Sequence, residues 1–363
     1  MNILILANYD YGLYIFRKEL LEKIVKDNNV FVSVPNGEYK DKLEVLGCKI
    51  IETELSRRGT NPIADLKLFN SYKKIIKDTK PNIVLTYTIK PNVYGGMACQ
   101  IYKVPYVANI TGLGSALENK GILQVISSNL YRMGLKKAQK VFFQNESNRD
   151  FMLNHNIVKD NYDLIPGSGV NLDKFKLMEY KDSQTIDFVY VGRLMKQKGL
   201  DQYLDAAKYI RNKYPNTRFH ICGFCEDDYK EVIDNLVKDE VVIYHGVIED
   251  MKKIYEITHC TILPTYYPEG MSNVLLESLA CGRPIITTNR PGTKEIVEDK
   301  INGFVVKEKD SQDLIEKIEM FISLSFKQRE QLGINGRNKV EKYFDRNIVV
   351  NKYLKEIEHA EKI

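Results

Sequence analysis

Short β-branched runs, each followed by a stretch long enough for a helix, recur along the whole chain, and this alternation limits its fold more than any other feature. The first series opens with "MNILILAN", continues through an amphipathic helix near Tyr14–Lys26 and "VFVSVP", and goes on with "NIVLTYT", "PYVANIT" and "KVFFQNES". Ser147 is placed to cap the helix after that last run. The second series opens with "TIDFVYVGR", then a helix over Gly199–Lys213, then "RFHICG", "VVIYHG", "CTILPT" and "RPIITTN". Strand-then-helix order gives parallel sheets covered on both faces. The expected class is α/β, with two Rossmann-like domains facing a cleft. The stretch "IPGSGVNLDKFKLMEYKDSQT" is rich in Gly, Ser and charge and has no sustained period, so it reads as the junction. The expected division is 1–167, a linker at 168–184, 185–345, and a terminal helix at 346–363 that crosses back onto the first domain.

A length of 363 residues suits two such domains better than one core. Six cysteines are scattered, several inside apolar runs, which fits reduced thiols in the cytoplasm and not a disulfide framework. The N-terminal residues lack the pattern of a signal peptide, and no apolar run has the length of a bilayer span. The expected location is cytoplasmic or peripheral on the inner face of the cell membrane. Residues 1–165 hold 23 Lys and Arg against 16 Asp and Glu, whereas residues 166–363 hold 30 against 32. A basic front half and a near-neutral back half suggest different partners, although a chance excess of lysine reads the same way. The basic residues are not interleaved with aromatics in a recognisable module, so nucleic acid is not an expected partner.

Ligands of open parallel sheets bind beyond the carboxyl ends of the strands. Four features of the second series fall there. In "VGRLMKQKGL", Gly192 ends a strand and is followed by Arg193 and Lys198, two cations suited to a diphosphate or to an ordinary solvated loop. In "HICGFCED", Gly223 ends a strand and permits a flat group to approach the backbone. The Cys222-x-x-Cys225 pair beside it lacks a second pair for zinc, and Glu226, Asp227 and Asp228 read as a solvated turn, so no metal site is expected. In "YHGVIEDM", a turn at Val247 and Ile248 offers backbone groups to a base edge.

The fourth feature, "YYPEGMSNVLLESLACGRP", combines most of the chemistry. Gly270 permits close approach, Ser272 or Asn273 is placed to cap a helix, and amides from Met271 onward face any anion at the helix start. Glu277, about two turns in, is placed to accept hydrogen bonds from a diol, and Glu269 from a sugar hydroxyl on the other side of the anion. Surface glutamates are common on helices, but apolar "VLLESLA" around Glu277 argues against a merely solvated face.

These motifs together resemble the retaining glycosyltransferases of family 4, which have the GT-B fold. The shared pattern is Glu269-x7-Glu277 preceded by Arg193 and Lys198, and the resemblance runs over nearly the whole chain. It implies that Arg193 and Lys198 bind the donor diphosphate and stabilise the leaving group. Glu269 would hold donor-sugar hydroxyls, the amides after Gly270 would contact sugar or phosphate, and Glu277 would bind ribose. It further implies retention of anomeric configuration without a covalent nucleophile or a metal, with no cofactor beyond the UDP-sugar donor. Gly12 falls in the loop after the first strand, where the family covers the donor phosphates, although the family's usual double glycine is absent. Within the family, "TYTIKPNVYGGMACQ", "ITGLGSALEN", "QNESNRDFM" and "GSGVNLDKF" look like bacterial enzymes that build surface polysaccharide or glycan on a polyprenyl diphosphate. The implied reaction moves an N-acetylhexosamine or galactose-type sugar from UDP to a lipid-linked sugar.

Acceptor recognition is expected in the first half, from Lys90, Asn92, Tyr94, Asn109 and Thr111, which follow or end strands; plain loop residues are the alternative. Many members carry a histidine or acid near the position of Thr111, and this chain does not. Ile122, Ile126, Leu130 and Met133 recur at helical spacing beside Arg132, Lys136, Lys137 and Lys140. Such a helix either faces the core or lies on an anionic membrane surface. Rival activities are a transferase with a soluble acceptor, a sugar-nucleotide epimerase, a paired-carboxylate hydrolase, and a silent nucleotide-binding protein.

Overall fold

The computed structural model describes residues 1–55, 61–114, 117, 121–225 and 227–362. Two compact units divide the chain: residues 1–168 with 347–363, and residues 169–346.

The first unit is built on seven parallel strands: β1 (Asn2–Leu6), β2 (Asn29–Val34), β3 (Lys49–Glu52), β4 (Ile83–Tyr87), β5 (Tyr106–Ile110), β6 (Lys140–Phe143) and β7 (Tyr162–Leu164). Their order is β3-β2-β1-β4-β5-β6-β7, so the direction of winding reverses between β1 and β4. The central strands β4 and β5 are buried at every position, which is why they read as unbroken apolar runs. Helices α1 (Asp10–Ile24), α2 (Lys40–Val45), α3 (Pro62–Thr79), α4 (Gly96–Tyr102), α5 (Ile122–Leu135) and α6 (Glu146–Asn154) accompany this sheet. The closing helix, α13 (Arg346–Glu361), packs Val349, Val350, Tyr353 and Ile357 into the same core as Ile3 and Ile5. Its Tyr353 ring lies 4.9 Å from that of Phe142.

The second unit has six parallel strands: β8 (Ile186–Val191), β9 (Thr217–Cys222), β10 (Ile243–Tyr244), β11 (Cys260–Leu263), β12 (Ile285–Thr288) and β13 (Gly303–Val306). The order β10-β9-β8-β11-β12-β13 puts the reversal between β8 and β11. Helices α7 (Leu200–Lys213), α8 (Asp227–Lys238), α9 (Lys252–Ile257), α10 (Asn273–Ala280), α11 (Ser311–Ser323) and α12 (Phe326–Tyr343) complete it.

Three local expectations are corrected. Helix α1 begins at Asp10, earlier than Tyr14, which places Gly12 inside its first turn and not in a loop. The acid in that turn favours the early start through the helix dipole, and its buried carboxylate accepts from Tyr39 N at 2.7 Å. Ser147 lies within α6; Asn145 is the cap, its side chain accepting from Asn148 N at 2.8 Å. Leaving that amide without its cap destabilises a helix by about 1 kcal/mol. Chemical denaturation of Asn145→Ala is therefore expected to show a loss of about that size or more, and Ser147→Ala a smaller one.

Candidate functional site

The reversal between β8 and β11 is where a doubly wound sheet opens to a ligand, and the predicted residues of the second unit gather there. Arg193 follows β8 directly. Three residues later the chain makes a single 3₁₀ turn, Lys196–Lys198, and enters α7 through Gly199 at φ +75°. A Cβ on Gly199 would stand 2.1 Å from Pro264 O, so only glycine allows the two loops to touch. Tyr266 N donates to Gln197 O at 2.9 Å and ties the loop after β11 to this turn. Lys198 is thereby held against Glu269, with which it forms an ion pair; both side chains are about 14% exposed or less. The Arg193 guanidinium and the Lys198 ammonium lie 5.4 and 5.3 Å from the centre of one ring, that of Tyr267. Two like charges are gathered around one aromatic ring, and one of them is held by a carboxylate.

Helix α10 begins in the same loop. Ser272 is its N-cap in extended conformation, but its side chain makes no capping bond, which corrects the expected role of Ser272 or Asn273. The backbone of Ser272 instead donates to Gly292 O at 2.9 Å. The amides of Asn273, Val274 and Leu275 precede the first intrahelical bond, from Leu276 to Ser272. Those amides remain available to an anion, and the side-chain oxygen of buried Asn273 Oδ1 has no partner among the described residues. Gly270 and Met271 are buried in the approach to this helix.

Glu277 sits little more than one turn into α10, not two, because the helix starts at Asn273. Its neighbours Leu275, Leu276 and Leu279 are fully buried. No hydrogen bond or ion pair engages its half-buried carboxylate among the described residues. Burial pushes its pKa up to about 7, against the smaller opposing pull of Lys174 and Arg346.

The other donor-side candidates divide. Gly223 adopts φ +142°, and a Cβ there would stand 1.8 Å from Gly192 O. Its smallness is therefore demanded by the protein's own backbone where the loops after β8 and β9 meet. Gly192 N donates to Cys222 O at 3.0 Å and Gly223 N to Gly246 O at 2.7 Å, which lines up three successive strand ends. Val247, next along, is 67% exposed. Cys222 is buried and its thiol pKa is raised by burial, as befits a core residue. Glu226 of the acidic turn lies outside the described residues.

In the first unit, Lys90 pairs with Asp65 at 2.8 Å and Tyr94 Oη donates to the other oxygen of Asp65 at 2.9 Å. Asn92 and Asn109 are corrected: both are fully buried. Asn92 accepts from Thr86 Oγ1 (2.7 Å) and donates to Asn109 O (2.8 Å), while Asn109 donates to Tyr353 Oη (2.6 Å). Buried amides must be satisfied internally, and these are spent on joining β4, β5 and α13. Thr111 is half-buried just beyond β5.

Known proteins resemble this chain over both of its halves. Residues 173–339 match the family model described as glycosyl transferases group 1, and residues 2–145 the model described as glycosyl transferase 4-like. The chain is a glycosyltransferase, with its second half similar to the group 1 enzymes and its first half 4-like. A relative from Campylobacter jejuni, N,N'-diacetylbacillosaminyl-diphospho-undecaprenol alpha-1,3-N-acetylgalactosaminyltransferase, is 29% identical over 98% of each chain. The capsular polysaccharide biosynthesis glycosyltransferase CapM of Staphylococcus aureus is 29% identical over 81% of this chain and 84% of its own. Among solved structures, Anabaena Alr3699/HepE in complex with UDP and glucose superposes with a TM-score of 0.81 at 17% identity, covering 99% of this chain and 100% of that one. At that identity the likeness establishes the GT-B fold.

Two residues of this glycosyltransferase escaped sequence reasoning. Tyr267 has no spacing signature, yet it is the surface on which both cations meet. Thr88, just past β4, adopts φ +73° with a buried hydroxyl that has no partner among the described residues. A β-branched residue in that conformation is strained. It precedes a π-helical turn at Pro91–Gly95, on which Asn92 and Tyr94 lie.

Proposed function

We propose that this glycosyltransferase moves a sugar of N-acetylhexosamine or galactose type from a UDP-sugar to a sugar carried on a polyprenyl diphosphate, keeping the anomeric configuration. The single observation that carries the reading is the meeting of Arg193 and Lys198 over Tyr267, beside Glu269 and the unbonded amides that open α10. The names of relatives that use lipid-linked acceptors support the acceptor class. So does the basic balance of residues 1–165, which suits work beside anionic lipid headgroups.

Chemically, the anomeric carbon–oxygen bond breaks and its electron pair passes to a phosphate oxygen of UDP. The acceptor hydroxyl oxygen forms the new bond on the same face, and its proton goes to a donor phosphate oxygen. Negative charge on the diphosphate therefore grows in the transition state. Fixed cations and amide dipoles aimed at it bind more strongly there than in the ground state, and that difference is catalysis. Lys198 and Glu269 hold each other before donor arrives, so the ammonium needs little reorganisation when phosphate replaces part of that contact. Glu269 then takes donor-sugar hydroxyls and Glu277 the ribose diol. On this reading the site calls for no metal.

The test is a screen of UDP- and GDP-sugars for nucleotide release with and without a polyprenyl-diphosphate-linked sugar. A UDP-sugar whose turnover depends on the lipid acceptor and yields a lengthened lipid-linked product is the expected result. Turnover that needs only a soluble acceptor, or that interconverts sugars without transfer, contradicts it.

A further inference from the structure

The apolar stripe of α5 faces outward. Its core side is Ser128, Tyr131, Gly134 and Leu135, all buried. On the other side Ile122 is 79% exposed, Leu123 59%, Val125 60%, Ile126 50% and Met133 51%. Single exposed aliphatics need no explanation, but five on a helix of 14 residues make a patch that water disfavours. The patch extends to a neighbouring helix. Gln100 Nε2 of α4 donates to Met133 O at 2.8 Å, and the next residues, Ile101 and Tyr102, are also exposed.

Charge says what covers this face. Between Glu118 and Glu146 the sequence contains no acid, while Arg132, Lys136, Lys137 and Lys140 fall in its second half. Lys136 and Lys137 are exposed and pair with no carboxylate among the described residues. Arg132 donates to the carbonyls of His155 and Asn156, which leaves its charge uncompensated. The first two turns are thus apolar and the end is cationic, the distribution that suits a helix seated in an anionic lipid interface. A symmetric contact with a second copy would set the cationic end of α5 against either the same cations or the apolar first turns, and no acid of α5 would neutralise it.

We propose that α5 docks this enzyme directly on an anionic lipid bilayer. Ile122, Leu123, Val125 and Ile126 enter the boundary between headgroups and acyl chains, and Lys136 and Lys137 stay among the phosphates. The inference rests on the reading of a lipid-linked acceptor for its purpose, but its test contains no acceptor. The full chain is floated with vesicles of phosphatidylcholine containing phosphatidylglycerol, and with phosphatidylcholine alone. The chain contains no tryptophan, so Ile122→Trp gives a single emission that should shift to the blue only with the anionic vesicles. Val125→Glu with Ile126→Glu, and separately Lys136→Glu with Lys137→Glu, should each lower partitioning about tenfold or more. All these side chains are exposed, and unchanged melting of the variants confirms their fold.

Absence of flotation by the wild type, or equal flotation by both double variants, overturns the proposal. So does light scattering that finds a dimer split by the Val125→Glu, Ile126→Glu pair, which gives the face to a second copy. Flotation without sugar transfer would remove the acceptor reading and leave the docking face standing; transfer without flotation would do the reverse.

Discussion

Arg193→Ala is expected to lower the rate of nucleotide release from the UDP-sugar about a hundredfold to a thousandfold, the range for removing one preorganised donor from a developing anion. Lys198→Ala should cost at least as much, because it also strips the half-buried Glu269 carboxylate of the ammonium that now neutralises it. The loss should fall on kcat as well as kcat/KM, since charge on the diphosphate is greatest in the transition state. Lys196 supplies the control. It lies in the same turn and is exposed, so Lys196→Ala removes one positive charge from the neighbourhood without touching the cluster over Tyr267. Initial rates should change less than twofold for that variant, roughly the effect of a screened surface charge. A loss as large in Lys196→Ala as in Arg193→Ala would mean that net charge alone is being measured.

The second large effect belongs to Glu277 and depends on pH. Its folded pKa of about 7 stands above the ordinary 4.5, so the folded protein holds this proton more tightly than the unfolded chain does. The stability associated with it is therefore complete below pH 4.5 and is lost as pH rises through 7. Glu277→Gln removes a charge that is costly to bury, and should melt higher than the wild type at pH 8, by up to about 3 kcal/mol of stability. Nucleotide binding should run the other way. Ribose hydroxyls donate best to the ionised carboxylate, so UDP affinity should rise between pH 6 and pH 8 in the wild type. In Glu277→Gln that component of the rise should vanish, and affinity at pH 8 should fall roughly tenfold to a hundredfold, the worth of hydrogen bonds to a charged group. Calorimetric titration with UDP checks both. A variant more stable at pH 8 and equally good at binding UDP would make Glu277 an incidental buried acid.

Strands buried on both faces leave continuous β-branched runs, and these made both parallel sheets legible in the sequence. The strands that went unread, β3, β7 and β13, have four, three and four residues, and each lies at an edge of its sheet. β7 is Tyr-Asp-Leu and carries no apolar run at all. At the site, Arg193, Lys198 and Glu269 were legible because strand ends and helix starts restrict where cations and acids can meet an anion. Asn92 and Asn109 looked the same locally, since polar residues at strand ends are equally suited to ligands and to internal bonding. What separates the cases is Tyr353, 244 residues beyond Asn109, and no local pattern contains that contact. The stripe on α5 was legible as a stripe. Its direction was set by Tyr131 and Leu135, which lie on the side that packs.

A crystal structure of the enzyme with UDP tests the central claim most directly. The account expects the diphosphate beyond the ends of β8 and β11, with Arg193, Lys198 and the first amides of α10 at hydrogen-bonding distance and the ribose diol on Glu277. A diphosphate bound elsewhere, with Arg193 and Lys198 turned to solvent, would contradict it.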